Sequence, residues 1–160
     1  MNQEIIQRLK AQFPDSIEES DEFRDDLTLR VKTEDIVKVC NFLKNDHELA
    51  FDMIVDLCGV DMYRPEGRFE VVYNLYSLKK KKYLRLKILV DEDNPIVDTV
   101  SVVWSGANWH ERETYDMYGI KFKGHPDLRR MYMPEDFEYF PLRKDFPLMG
   151  IPDSLPLPRK

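Results

Sequence analysis

The sequence predicts an α+β domain of two layers, with helices on one face of a mixed or antiparallel sheet and an extended proline-rich arm at the C-terminus. Three observations carry this. Apolar residues recur at helical spacing in separate stretches, two neighbouring runs alternate strictly, and five of the ten prolines fall in the last twenty residues. We assign residues 1–133 to the domain and 134–160 to the arm.

The elements follow in order. Ile5, Ile6, Leu9 and Phe13 share one helical face, and Pro14 ends that helix. Leu27, Leu29 and Val31 alternate with Thr28 and Arg30, as in a half-buried strand. Thr33 is placed as the N-cap of a second helix with the stripe Ile36, Val39, Cys40 and Leu43. Part of 51–60 reads as a buried strand. Phe69, Val71, Tyr73 and Leu75 form one alternating run, and Leu84, Leu86, Ile88 and Val90 form the next. The lysine turn between them makes an antiparallel hairpin. Residues 91–95 are rich in breakers, and the β-branched stretch 96–104 reads as one more strand. Asn108 is placed as the N-cap of a third helix that runs to about Tyr118, with Gly119 at its left-handed end.

Proline fixes φ and removes a donor, so the last segment cannot join a sheet interior or a helix. Residues 148–160 can span about 40 Å if extended. They carry Leu148, Ile151, Leu155 and Leu157, more apolar than a plain linker. Two placements stay open: an arm lying along another surface, and a tail folded back on its own domain.

Composition narrows the function. With 160 residues, 42% hydrophobic and 34% charged, the chain is sized for one folded domain. No apolar run approaches the length of a membrane helix, and MNQEIIQRLKAQF lacks the marks of a signal peptide. A cytoplasmic location is expected, with membrane association only through partner proteins. The net charge of −6 argues against a freestanding nucleic-acid binder. The basic run 79–82 reads as a solvated hairpin tip. Cys40 and Cys58 are the only cysteines, too few for a four-thiolate iron–sulfur cluster.

The densest chemistry lies at Ala107 to Met133. Glu111, Arg112, Glu113 and Asp116 crowd two turns of helix among Trp109, Tyr115, Met117 and Tyr118, leaving no clean apolar face. Such a helix contacts neighbours on several sides, and its carboxylates need partners. Arg129, Arg130 and Arg143 can supply them. His110-Glu111 opens a zinc-protease pattern that Thr114 breaks, since position 114 needs histidine. His47, His110 and His125 do not cluster, so no metal site is expected. Structural ion pairs account for the carboxylates more economically than acid–base catalysis. Trp104 and Trp109 are read as packing residues, and no glycine-rich phosphate loop occurs.

The run Glu111-Arg112-Glu113, then Asp116-Met117-Tyr118, then His125, then Arg129 with Met131, resembles the signature of the C subunit of proton-pumping NADH:quinone oxidoreductases, respiratory complex I. The segment Pro141-Leu142-Arg143-Lys144-Asp145-Phe146-Pro147-Leu148 resembles the next part of that family, and 69–77 does so more weakly. The resemblance implies a small α+β domain in the peripheral arm of a translocase, with no catalysis by this chain. It implies no cofactor here: FMN and iron–sulfur clusters sit in partner subunits and carry electrons from NADH to quinone. It implies an arm docked on the large D subunit of the complex and a peripheral place on the cytoplasmic side of the cell membrane. Glu111, Arg112, Glu113, Asp116, His125, Arg129, Arg143 and Asp145 are the residues expected to fix the partner interface or the root of the arm. Two other readings remain: the equivalent component of a membrane-bound hydrogenase or other quinone-reducing complex, and a freestanding soluble hydrolase.

Overall fold

The computed structural model describes residues 2–151. In chain order it has α1 (Asn2–Gln12), β1 (Ile17–Phe23), β2 (Asp26–Val31), a 3-10 turn (Thr33–Asp35), α2 (Ile36–Asn45), β3 (Met53–Asp61), β4 (Phe69–Ser77), β5 (Lys82–Val90), β6 (Ile96–Asp98), α3 (Ala107–Tyr118) and β7 (Lys121–Lys123). Five strands form one sheet in the order β1-β2-β5-β4-β3. β2 and β5 are parallel, and the other neighbours are antiparallel, so the sheet is mixed. β6 and β7 form a small parallel pair.

Period-2 alternation decides which face is dry. Leu27, Leu29 and Val31 of β2, Val71, Tyr73 and Leu75 of β4, and Leu84, Leu86 and Ile88 of β5 all turn inward. Ile5 and Leu9 of α1 and the fully buried stripe Ile36, Val39, Cys40 and Leu43 of α2 close over them. α3 crosses the same face above β3. A Cβ on Gly59 would lie 2.7 Å from the Tyr118 ring, so glycine there allows the close approach. On the other face Glu70 is buried between Lys87 (2.9 Å) and Arg30 (3.6 Å).

The α+β class, the three helices and the lysine-turn hairpin agree with the sequence reading. Four details differ. β1 has no counterpart in that reading, because its residues IEESDEF carry no apolar alternation and almost all are exposed. Backbone pairing with β2 makes it a strand. Arg24 (φ 49°) and Asp25 (φ 71°) give the twist of a tight hairpin turn. Thr33 does not cap α2. Its hydroxyl donates to the Leu89 carbonyl at 2.7 Å and ties the 3-10 turn to the end of β5. Asn108 does not cap α3, which begins at Ala107. The Ala107 and Asn108 amides bond back to Trp104 and Ser105, so the preceding turn runs into the helix.

The fourth difference is the largest. Only Ile96–Asp98 of the stretch 96–104 is strand. Beyond it, the amides of Val103 and Trp104 both bond to the Val100 carbonyl. The amide of Val100 bonds to the Glu111 side chain, so this stretch turns around a carboxylate instead of pairing with a neighbouring strand. Gly119 does stand at the left-handed end of α3, at φ 79°, with its amide on the Tyr115 carbonyl.

Of the region read as an arm, the part up to Phe146 lies against the domain. Leu142 donates its amide to the Met117 carbonyl, and Lys144 donates its amide to Asp61. Residues 152–160, which hold three of the tail prolines, lie outside the described residues.

Candidate functional site: α3 and the segments wrapped on it

α3 presents charged side chains to two stretches of chain that flank it in space. Glu111 faces the 99–101 turn and has no exposed surface. Its carboxylate accepts the Val100 amide at 2.7 Å and the Thr99 hydroxyl. Burial drives its pKa up to about 7, against the opposing effect of the hydrogen bonds from Thr99, Val100 and Ser101. The His125 ring lies beside it, with Nε2 at 3.8 Å and no exposed side-chain surface. His125 Nδ1 accepts the Asp127 amide at 3.0 Å, which places the proton of the neutral ring on Nε2. That Nε2–H donates to the Asn108 carbonyl at 3.1 Å. The histidine thus stitches the 125–127 loop to the first turn of α3.

Further along the helix, Asp116 is equally buried. Its Oδ2 accepts three consecutive amides, from Met131 (2.9 Å), Tyr132 (2.6 Å) and Met133 (3.1 Å), and its Oδ1 accepts Arg130 Nη1 at 2.8 Å. Burial alone would raise its pKa, but the three amides and Arg130 outweigh that and hold it below the ordinary carboxylate value. Arg112 serves the same stretch from the neighbouring turn. Its guanidinium donates to the carbonyls of Arg129 (3.2 Å) and Arg130 (3.3 Å) and lies 5.0 Å from the centre of the Trp109 ring. One carboxylate collects amides and one guanidinium collects carbonyls, so the 129–133 backbone has a single seat on the helix.

The end of α3 anchors the next segment. Arg143 donates to the Tyr118 carbonyl at 2.7 Å and lies between the rings of Phe69 (4.9 Å) and Phe140 (4.6 Å). Burial and the nearby Arg68 charge lower its pKa. Asp145 meets Arg68 at 2.9 Å, and Arg68 also grips Asp61 through Nε (3.2 Å) and Nη2 (2.9 Å). Glu92 completes the set of carboxylates around Arg68.

Of the eight residues singled out in the sequence, Glu111, Arg112, Asp116 and His125 therefore work inside the domain. Arg143 and Asp145 fasten the root of the C-terminal segment. Glu113 is exposed, and Arg129 is 66% exposed in its side chain, paired with Asp127 at 3.0 Å. Sequence reasoning missed Thr99, Asp61 and Arg68. An aspartate closing an apolar strand run was the available signal for Asp61, whereas nothing local marks Arg68 or Thr99. Among the described residues, no three His, Cys, Asp or Glu side chains converge as a metal site would need. The carboxylates of Glu111 and Asp116 accept the chain's own amides, which ties the 99–101 turn and the 131–133 backbone to α3. Around this framework Trp109, Tyr132, Tyr139, Leu142, Leu148 and Met149 remain exposed.

The chain is similar to known proteins over most of its length. Residues 29–152 match the family described as "Respiratory-chain NADH dehydrogenase, 30 Kd subunit". The chain is 52% identical over 147 residues to the C subunit of NADH-quinone oxidoreductase from Roseiflexus sp. (strain RS-1), covering 92% of this chain and 84% of that protein. It is 49% identical over 150 residues to the C subunit of the oxidoreductase from Geobacter metallireducens, covering 93% and 91%. Among solved structures, "Nqo5 of the trypsin-resistant fragment (1-134)" superposes with a TM-score of 0.64 at 32% identity, covering 80% of this chain and all of that one. A chain of the membrane-bound sulfane sulfur reductase, an archaeal respiratory membrane complex, shares the fold with a TM-score of 0.77 at 24% identity, over 92% and 86%. The signature residues of α3, the loops they hold and these similarities lead to one conclusion: the chain belongs to the family of the 30-kDa subunit of respiratory-chain NADH dehydrogenase, the C-subunit family of NADH-quinone oxidoreductases.

Proposed function

We propose that the chain is a structural and assembly subunit in the peripheral arm of a proton-translocating NADH:quinone oxidoreductase and performs no catalysis itself. Electrons pass from NADH through FMN and iron–sulfur clusters to quinone in partner subunits. This chain braces the quinone-proximal part of that arm on the cytoplasmic side of the membrane, with the large D subunit as its main partner. The carrying observation is the use of the α3 charges. Glu111, Arg112 and Asp116 bind backbone of their own chain, so they shape a surface and leave no carboxylate of their own facing a substrate. The exposed Trp109, Tyr132, Tyr139 and Leu142 on the same segments suit a partner surface, where aromatic residues are enriched. Among the described residues no helix is long and apolar enough to cross a membrane, in keeping with attachment through partners.

Gentle purification of the tagged chain from its source membranes tests the reading. Co-purification of iron, flavin and NADH:quinone reductase activity supports it, with the separated chain carrying none of the three. An iron-bearing complex with hydrogenase activity, or a lone chain with hydrolase activity, overturns it.

A further inference from the structure

Three stretches of chain converge on Arg68, which stands just before β4: the end of β3 through Asp61, the loop after β5 through Glu92, and the C-terminal segment through Asp145. Arg68 is 5% exposed, and its guanidinium also lies 5.2 Å from the centre of the Phe69 ring. Asp61 takes a second load, accepting the Lys144 amide at 2.8 Å and the Tyr63 amide at 2.8 Å. Arg143 sits beside this group, also against the Phe69 ring, and reaches the Tyr118 carbonyl.

We propose that residues 137–146 form a strap already fastened in the free chain, locked by the Arg68–Asp61–Asp145 clasp. The geometry supports this from both ends. The strap is rooted at Arg130, which donates to the Asp116 carboxylate and the Tyr139 carbonyl and lies over the rings of Phe137 and Phe140. It closes at Asp145 on Arg68. Between these points the Leu142 and Lys144 amides donate to Met117 and Asp61, tying the strap to α3 and β3. Beyond the clasp, Leu148 and Met149 are 99% and 96% exposed. A strap fixed in advance removes the cost of ordering that segment from the docking step. The inference concerns the free chain and stands apart from the identity of the partner.

Hydrogen exchange of the full chain on its own, read by mass spectrometry, tests it. The peptide spanning 140–146 is expected to exchange at least about tenfold more slowly than an unstructured peptide of that sequence. Asp145→Asn, at a half-exposed position, is expected to speed that exchange severalfold while β4 and β5 keep their protection. Arg68→Gln is expected to speed it further. Protection of β4 and β5 reports whether each variant still folds. If Arg68→Gln unfolds the domain, Asp145→Asn alone decides. Exchange of 140–146 at the unstructured rate in the wild-type chain would overturn the proposal. So would unchanged exchange in a folded Asp145→Asn chain.

Discussion

Asp116 and Arg130 meet at 2.8 Å with the aspartate wholly buried, and the same carboxylate gathers the amides of Met131, Tyr132 and Met133. A buried ion pair that also satisfies three backbone donors behaves as one unit: removing the acceptor strands a guanidinium and three amides together. Asp116→Ala is therefore expected to destabilise the chain by about 3–5 kcal/mol, the range for breaking a buried pair. Asp116→Asn keeps an acceptor oxygen and should cost less. Chemical denaturation of the two variants checks the order. Equal stability of Asp116→Ala and wild type would refute it.

Glu111 gives a pH dependence of definite sign. Its folded pKa, about 7, lies above the ordinary 4.5 because burial disfavours the anion. The folded chain thus holds a proton that the unfolded chain has released, and stability falls as pH rises from about 4.5 through 7. The shift corresponds to a swing on the order of 3 kcal/mol across that window. Glu111→Gln removes the titration, so the stability difference between wild type and this variant should shrink or reverse along the same window. Urea midpoints taken at about pH 5 and about pH 8, on either side of most of that change, measure it. A pH-independent difference would count against a titrating Glu111.

Gly119 is held by two constraints at once. It sits at φ 79°, and a Cβ there would come within 2.7 Å of Phe140 and 2.8 Å of the Arg143 guanidinium. Gly119→Ala is expected to cost at least about 1–2 kcal/mol, from left-handed strain and displacement of the Phe140–Arg143 stack. Thermal melting reads the loss, and a melting temperature equal to wild type would contradict it.

Arg129 separates folding from assembly. Its backbone carbonyl is held by Arg112, but its guanidinium is exposed and pairs only with Asp127 among the described residues. An exposed pair of this kind contributes about 0–1 kcal/mol. Arg129→Ala should therefore leave the isolated chain's stability near wild type while depleting the assembled oxidoreductase in membranes. Sedimentation of solubilised membranes, probed for this chain, shows the outcome. Full assembly with normal activity would remove Arg129 from the interface.

How much of this was legible beforehand depended on which signal each residue carried. The stripe Ile36, Val39, Cys40 and Leu43 and the alternation of Phe69 to Leu75 are periodic, and burial follows periodicity directly, so α2 and β4 stood where expected. β1 carries no such period. Its strand state comes from β2 beside it and from two left-handed turn residues, neither of them glycine. The stretch after Asp98 misled because β-branched residues favour strands, while the local structure is set by a carboxylate a dozen positions later. At the site, the identity of the charged residues was readable and their destinations were not. Glu111 and Asp116 proved to serve their own loops. Arg68, with no motif around it, became the meeting point of three carboxylates, two of them, Glu92 and Asp145, far from it in sequence.

The parallel pairing of β2 with β5 bears on the order in which the molecule is made. Leu27 lies beside Leu84, and β5 is the middle strand of five. As the chain leaves the ribosome, α1, the β1–β2 hairpin and α2 emerge long before the strand they must join. A two-stranded hairpin with one acidic, exposed strand is marginal alone. The nascent N-terminal third thus waits for β5, and folding is completed late, by contacts of high sequence separation, which are slow to form. Until then the apolar faces of α1 and α2 are without their sheet, so synthesis up to Val90 is the interval in which the young chain most needs protection from its neighbours.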